Sequence, residues 1–149
     1  MIKICHLTSV HPIYDVRIFQ KECTSLVKAG FDTTLIACAE KEFEEVKNGV
    51  QCISLNIPVR NRFQRFIRRS YAVYKRSLLI NADIYHIHDP ELLSVGLKLK
   101  KKGKKVIFDS HEDLTVNILD KHYIPKIIRP FLQYFFNKYA SFVIKRLDS

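Results

Sequence analysis

Ile84-Tyr85-His86-Ile87-His88-Asp89-Pro90 and Val106-Ile107-Phe108-Asp109-Ser110-His111-Glu112-Asp113 share one pattern, a short apolar run that closes on histidine and carboxylate. The runs are β-branched or aromatic and too short for helices, so each predicts a buried strand. In open α/β sheets ligands bind in the crevice outside the carboxyl ends of the strands. Histidines and acids at two such ends therefore mark a candidate site.

Working outward, strands alternate with helices. Residues 2–8 read as strand one. Helix one runs from about Arg17 to Ala29, with Ile18, Phe19, Cys23, Leu26 and Val27 on one stripe and Gly30 as its stop. Residues 33–38 form strand two. An acidic surface stretch, Glu40 to Lys47, leads through Asn48-Gly49 into strand three at 50–56. Helix two covers about 63–79, strand four 84–88, helix three about 91–102, strand five 106–109, and a last helix about 125–147. Continuous apolar strands joined by helices imply a parallel sheet covered on both faces. Right-handed crossovers then give an α/β, Rossmann-like doubly wound sheet of order 3-2-1-4-5. That order brings Thr8 to His11, His88-Asp89 and Asp109 to His111 to one crevice.

Composition supports a single globular domain of 149 residues. No apolar stretch approaches the roughly 20 residues that span a membrane, and the first residues lack the features of a signal peptide. The four cysteines, Cys5, Cys23, Cys38 and Cys52, show no Cys-x-x-Cys spacing, so buried reduced thiols are expected. The net charge of +10 is concentrated in Arg60 to Arg69 and in the lysines around Gly103. Such patches suit nucleic acid, an anionic bilayer or a phosphorylated ligand, or simply a solvated helix face. No nucleic-acid module accompanies them.

His6-Leu7-Thr8-Ser9-Val10-His11-Pro12, the following Asp15-Val16-Arg17-Ile18-Phe19-Gln20-Lys21-Glu22, and the two strand-end motifs occur in one order along the chain. Together they resemble the N-terminal half of a family-4 glycosyltransferase of the GT-B fold. The resemblance implies that residues 1–149 form the acceptor-side Rossmann-like domain, with the C-terminal nucleotide-sugar domain absent. It implies a retaining transfer from a nucleotide-sugar donor in bacterial surface polysaccharide or glycolipid synthesis, with no cofactor and no metal. The expected partners are a C-terminal donor domain or separate subunit, a glycan or lipid-linked acceptor, and an anionic membrane surface, but not nucleic acid. The implied location is cytoplasmic, peripheral on the inner face of the membrane. The alternatives are a non-catalytic subunit that recruits a catalytic chain to membrane, or a small metal-dependent hydrolase using the histidines.

By that resemblance His111 lies near the transferred sugar as the catalytic candidate, with Glu112 orienting it or binding sugar hydroxyls. His11, Asp15 and Arg17 occupy the loop and helix start after strand one. There Asp15 either meets substrate or caps the helix, and Arg17 either meets an acceptor phosphate or pairs with Asp15 or Glu22. His88, nearer the strand end than His86, is the better site histidine, and His86 reads as a packed core residue. Asp89 divides between a helix N-cap ahead of Pro90 and a ligand contact. In helix two Arg62, Phe63, Arg65, Phe66 and Arg69 are the candidate membrane-facing residues. A His-x-His-Asp set with a distant Asp-x-His also invites a metal, but the spacing alone is unspecific.

Overall fold

The computed structural model describes residues 1–109 and 129–148. Its strands are β1 (Lys3–Leu7), β2 (Asp32–Cys38), β3 (Phe43–Lys47), β4 (Val50–Leu55), β5 (Ile84–Ile87) and β6 (Lys105–Phe108). Helix α1 starts as a π-helix, Val16–Cys23, and continues as an α-helix, Thr24–Lys28. Helix α2 comprises Arg62–Gln64, a π-wound Arg65–Arg69 and Ser70–Ile80. Helix α3 opens with the 3₁₀ turn Pro90–Leu92 and continues over Leu93–Lys101, and α4 is Arg129–Ile144.

The sheet order is β3-β4-β2-β1-β5-β6. Its five parallel strands, β4-β2-β1-β5-β6, follow the order 3-2-1-4-5 expected from the sequence. The addition is β3, antiparallel to β4 at the edge. The acidic stretch therefore includes a strand rather than only surface loop. Its pairing follows from Asn48-Gly49, both at positive φ (51° and 78°), which form a two-residue turn between Lys47 and Val50. Positive φ at both central residues is the hairpin geometry that matches strand twist. Residues Glu44 to Lys47 are exposed, which is why no apolar alternation announces the strand.

Alternation splits the sheet's side chains between two cores. Cys5, Leu7, Tyr85, Ile87 and Val106 pack with Val73 of α2 and Leu92, Val95 and Leu99 of α3. Leu35, Ala37, Val50 and Cys52 pack on the opposite face with Ile18, Phe19 and Cys23 of α1. Tyr85 is fully buried, and its hydroxyl is satisfied by donating to Ser77 O at 2.8 Å and accepting from Ala82 N at 2.9 Å. Gly96 lets α3 approach the sheet closely, since a Cβ there would meet Ile87 Cδ1 at 2.6 Å. Helix α4 packs on α3 through Ala140 and Val143 against Leu93.

Candidate functional site

On the α1 side of the sheet the side chains change character from strand to strand. Beneath α1, β2 and β4 present Leu35, Ala37, Val50 and Cys52. On β1 and β5 the pleat that buries Cys5, Leu7, Tyr85 and Ile87 on the other face turns His6 and His86 to this one. The two are register partners on neighbouring parallel strands. His88, two residues beyond His86, joins them: ring centroids lie 4.8 Å apart for His6 and His86, 5.2 Å for His6 and His88, and 4.5 Å for His86 and His88. His6 Nδ1 and His88 Nε2 stand 3.0 Å apart, one ring donating and the other accepting according to tautomer.

Helix α1 supplies the charges. Asp15 caps it, its Oδ1 accepting from Arg17 N at 2.8 Å and Ile18 N at 2.9 Å. A helix starting here leaves its first N–H groups without intrahelical acceptors, and an aspartate at this position supplies one. The π-wound first turns then align residues five apart rather than four. Arg17 Nε accordingly reaches Glu22 Oε1 at 3.0 Å, while its other arm pairs with Asp109 Oδ2 beyond β6. The second glutamate oxygen, Oε2, faces the histidines at 3.7 Å from His6 Nδ1, 3.8 Å from His86 Nδ1 and 3.7 Å from His88 Nε2. His86 Nε2 lies 3.8 Å from Asp109 Oδ2.

Burial keeps the imidazoles neutral. It pushes His6 down to about 3, with His86 adding to the effect. His88 falls to about 2, again by burial first and then by the neighbouring histidines and Arg17. His86 is lowered chiefly by burial, with Asp109 opposing. Glu22 is raised, because burial outweighs the opposing Arg17 cation. Neutral rings beside a carboxylate can donate and accept hydrogen bonds, or offer lone pairs, without titrating near neutrality.

Asp89 has a different job from the one its sequence position suggests. It precedes the first turn of α3, yet its side chain makes no cap hydrogen bond there. The buried carboxylate instead accepts from Thr8 Oγ1 at 2.8 Å and from the backbone N–H and Oγ of Ser9, with His11 Nε2 3.4 Å away. It ties the loop after β1 to the loop after β5. Thr8 Oγ1 in turn accepts from His11 N at 3.1 Å.

These contacts place the residues singled out in the sequence. His11 is partly exposed at the crevice rim, Arg17 joins α1 to the end of β6, and His88 and Asp89 are buried between β1 and β5. Of the two histidines at β5, His86, read as a packed core residue, is the more accessible, and His88, just past the strand end, is the deeper. The packing reason is that β5 ends at Ile87, and the chain then turns inward towards Thr8. His111 and Glu112 lie outside the described residues. Sequence reasoning missed His6 and Glu22 as site residues. The His86-x-His88 spacing, which sets two histidines on one strand face, was the available signal, while His6 and Glu22 join them only through strand register and the π turn.

In α2, Arg65 donates to Glu91 Oε1 from Nε at 3.2 Å and from its second nitrogen at 2.6 Å. Arg69 donates to Ser9 O at 3.0 Å. Both are engaged inward, whereas Phe63, Phe66 and Ile67 are exposed. Arg62 opens the helix. Arg69 also lines a cleft of about 560 Å³ with Val10, Pro12, Ala39, Asn56 and Pro58, beyond the carboxyl ends of β1, β2 and β4.

The chain is similar to known glycosyltransferases. The sucrose-phosphate synthase from Thermosynechococcus elongatus superposes with a TM-score of 0.66 at 12% identity, over 94% of this chain and 40% of that one. A trehalose-6-phosphate synthase superposes with a TM-score of 0.48 at 14% identity, over 72% of this chain and 31% of that one. The chain thus spans less than half the length of either protein. No curated protein sequence matches it. The sequence model of Glycosyltransferase Family 4 matches residues 17–149, a span that takes in nearly all of α1 and both strand-end histidine motifs: the chain is a member of glycosyltransferase family 4.

Proposed function

We propose that this chain acts as the acceptor-side domain of a nucleotide-sugar-dependent glycosyltransferase, retaining in stereochemistry, that builds a bacterial surface polysaccharide or glycolipid. The observation that carries the reading is membership of the family over residues 17–149. The convergence of Arg17, His11, His86 and Asp109 on the carboxyl edge of the parallel sheet agrees with it, since ligands of such folds bind at that edge. The open cleft above Arg69 adds room for an extended acceptor beside the cluster.

In this reading a second Rossmann-like domain, on the same or a separate chain, supplies most donor contacts, and sugar transfer takes place between the two. By resemblance His111 lies nearest the transferred sugar, where a neutral imidazole hydrogen-bonds a hydroxyl or steadies developing charge. The exposed Phe63, Phe66 and Ile67 on a basic helix suit a protein resting on anionic headgroups near a lipid-linked acceptor. No helix among the described residues is long and apolar enough to cross a membrane.

Calorimetric titration with uridine and guanosine diphosphate sugars tests the proposal. The chain alone should bind them weakly and transfer nothing, and a donor domain added in cis or in trans should restore both. Micromolar binding by this chain alone would overturn the division of labour.

A further inference from the structure

Glu22 Oε2 is buried and makes no hydrogen bond among the described residues. Nitrogens of His6, His86 and His88 surround it at 3.7, 3.8 and 3.7 Å, distances too long for hydrogen bonds. One donor atom from each of the four residues lies within 4.8 Å of the others. Four ligands held about 2.0–2.1 Å from a tetrahedral zinc ion stand roughly 3.4 Å from one another. The distances around Glu22 Oε2 exceed that edge by a few tenths of an ångström, and the 3.0 Å between His6 Nδ1 and His88 Nε2 falls short of it by as much. Separations across the whole set reach up to 4.8 Å, so an ion would draw the side chains together by as much as about 1.4 Å at the widest pair.

We infer that His6, Glu22, His86 and His88 form a binding site for a divalent transition-metal ion of the zinc class. Three imidazole nitrogens and one carboxylate oxygen select borderline ions over magnesium and calcium, which take oxygen ligands. His86 Nε2 lies 3.8 Å from Asp109 Oδ2, short of hydrogen-bond contact, with Arg17 holding Asp109 in place, so Asp109 is positioned to take up the ring N–H once Nδ1 binds an ion. Arg17 also occupies Glu22 Oε1, which leaves Oε2 as the oxygen turned to the imidazoles.

With every donor supplied by the chain, the site is closed and of the structural kind. Its ion would fasten the π-wound start of α1 to β1 and β5, the strands between which the chain passes from one half of the sheet to the other. The site shares His86, Asp109 and Arg17 with the proposed substrate crevice, but metal binding is read without any transferase assay, so the two readings fail separately. The sequence expectation of no metal followed from the family resemblance, and the donor geometry departs from it.

The test uses the chain as it stands, stripped with chelator and titrated with cobalt(II), then zinc. One equivalent of cobalt should give the visible absorption of a four-coordinate site, and zinc should displace it. Zinc should raise the melting temperature by roughly 5 °C or more at saturating concentration. His86→Ala and Glu22→Gln should each weaken binding about 100-fold or more, and Asp109→Asn, one step removed, about 10-fold. Circular dichroism would show that the variants remain folded. If they do not fold, X-ray absorption of the zinc-loaded wild type decides, since imidazole and oxygen ligation is expected. Absence of saturable one-to-one binding, a cobalt spectrum unchanged in folded variants, or sulfur ligation by the cysteines would each overturn the site.

Discussion

Arg17 and Glu22 stand five residues apart on the π-wound start of α1, and Arg17 Nε meets Glu22 Oε1 at 3.0 Å. A regular α-helix would set positions four apart in line and leave this pair askew. The π turn therefore serves the site directly. It lets one guanidinium hold two acids, Glu22 on its own helix and Asp109 beyond β6. Replacing Arg17 by Met would keep the volume and leave both carboxylates facing the histidines without a cation. The three side chains are each about a quarter to a third exposed, so the loss should be modest, about 1–2 kcal/mol. Urea unfolding of the variant measures it, and a change within about 0.3 kcal/mol would show that the pairing contributes little to stability.

Asp89 should prove structural before anything else. Its buried carboxylate serves Thr8 Oγ1, Ser9 N and Ser9 Oγ at once, and a removed acceptor leaves buried donors unpaired at roughly 1–3 kcal/mol each. Asp89→Ala should destabilise the chain by about 3 kcal/mol, and Asp89→Asn, which keeps one acceptor oxygen, by less. Denaturant midpoints for the two variants give that ordering. A fully stable Asp89→Ala would return Asp89 to the ligand-contact reading.

The hairpin turn offers a check on the added strand. Gly49 has φ 78°, and a Cβ there would meet Val27 Cγ1 at 2.6 Å. Gly49→Ala should therefore cost about 1–3 kcal/mol, from the left-handed backbone and the clash with α1 together. Thermal melts of the two variants should show Asn48→Gly, which keeps positive φ available, as nearly neutral. Equal effects of the two would mean that the turn is not what positions β3.

How much of this was legible in the sequence follows from which forces act locally. The five parallel strands are short β-branched runs bounded by turn residues, and their order follows from crossover handedness, so both were readable. Strand β3 was not, because Phe43-Glu44-Glu45-Val46-Lys47 lies on an edge with its last four residues in water and has no apolar face to display. Asp15 was readable as one of two alternatives, since capping depends only on the residues that follow it. Asp89 looked like a cap for the same reason, but a tertiary partner, the Thr8-Ser9 loop, claims its carboxylate. The cluster of His6, Glu22, His86 and His88 depends on strand register and on a π turn, neither of which a single sequence displays.

The cysteines should be silent in the native chain. All four are free and buried. Burial pushes Cys38 and Cys52 up to about 11, with Arg69 opposing the shift at the first and Glu45 adding to it at the second. Burial raises Cys5 and Cys23 as well. Thiolate is the reactive form, so labelling with a disulfide reagent at pH 8 should be about 100-fold slower or more than in the denatured chain, where all four should react. A fast-reacting native thiol would show that one of these packing sites opens.

The proposed membrane contact can be narrowed to particular residues. Arg65 and Arg69 are committed to Glu91 and Ser9, so a variant that removes them would damage the fold and blur the result. Phe63, 73% exposed, and Ile67, 49% exposed, have no such duties. Arg68 donates to Pro58 O at 3.1 Å but remains exposed. Burying an apolar side chain of this size gains roughly 1.5–3 kcal/mol, and a basic residue at an anionic surface about 1 kcal/mol. The variant Phe63→Ser, Ile67→Ser, Arg68→Gln should therefore lose at least about 100-fold in binding to anionic vesicles. Wild-type binding should fall with added salt and be weak on neutral vesicles. Helix α4 provides the control, because it also exposes aromatics, Phe131 and Phe135 among them. Sedimentation of Phe131→Ser, Phe135→Ser beside the α2 variant separates the two surfaces. If the α4 variant loses binding while the α2 variant keeps it, the membrane face lies on α4, and if neither loses it, the contact is not aromatic at all.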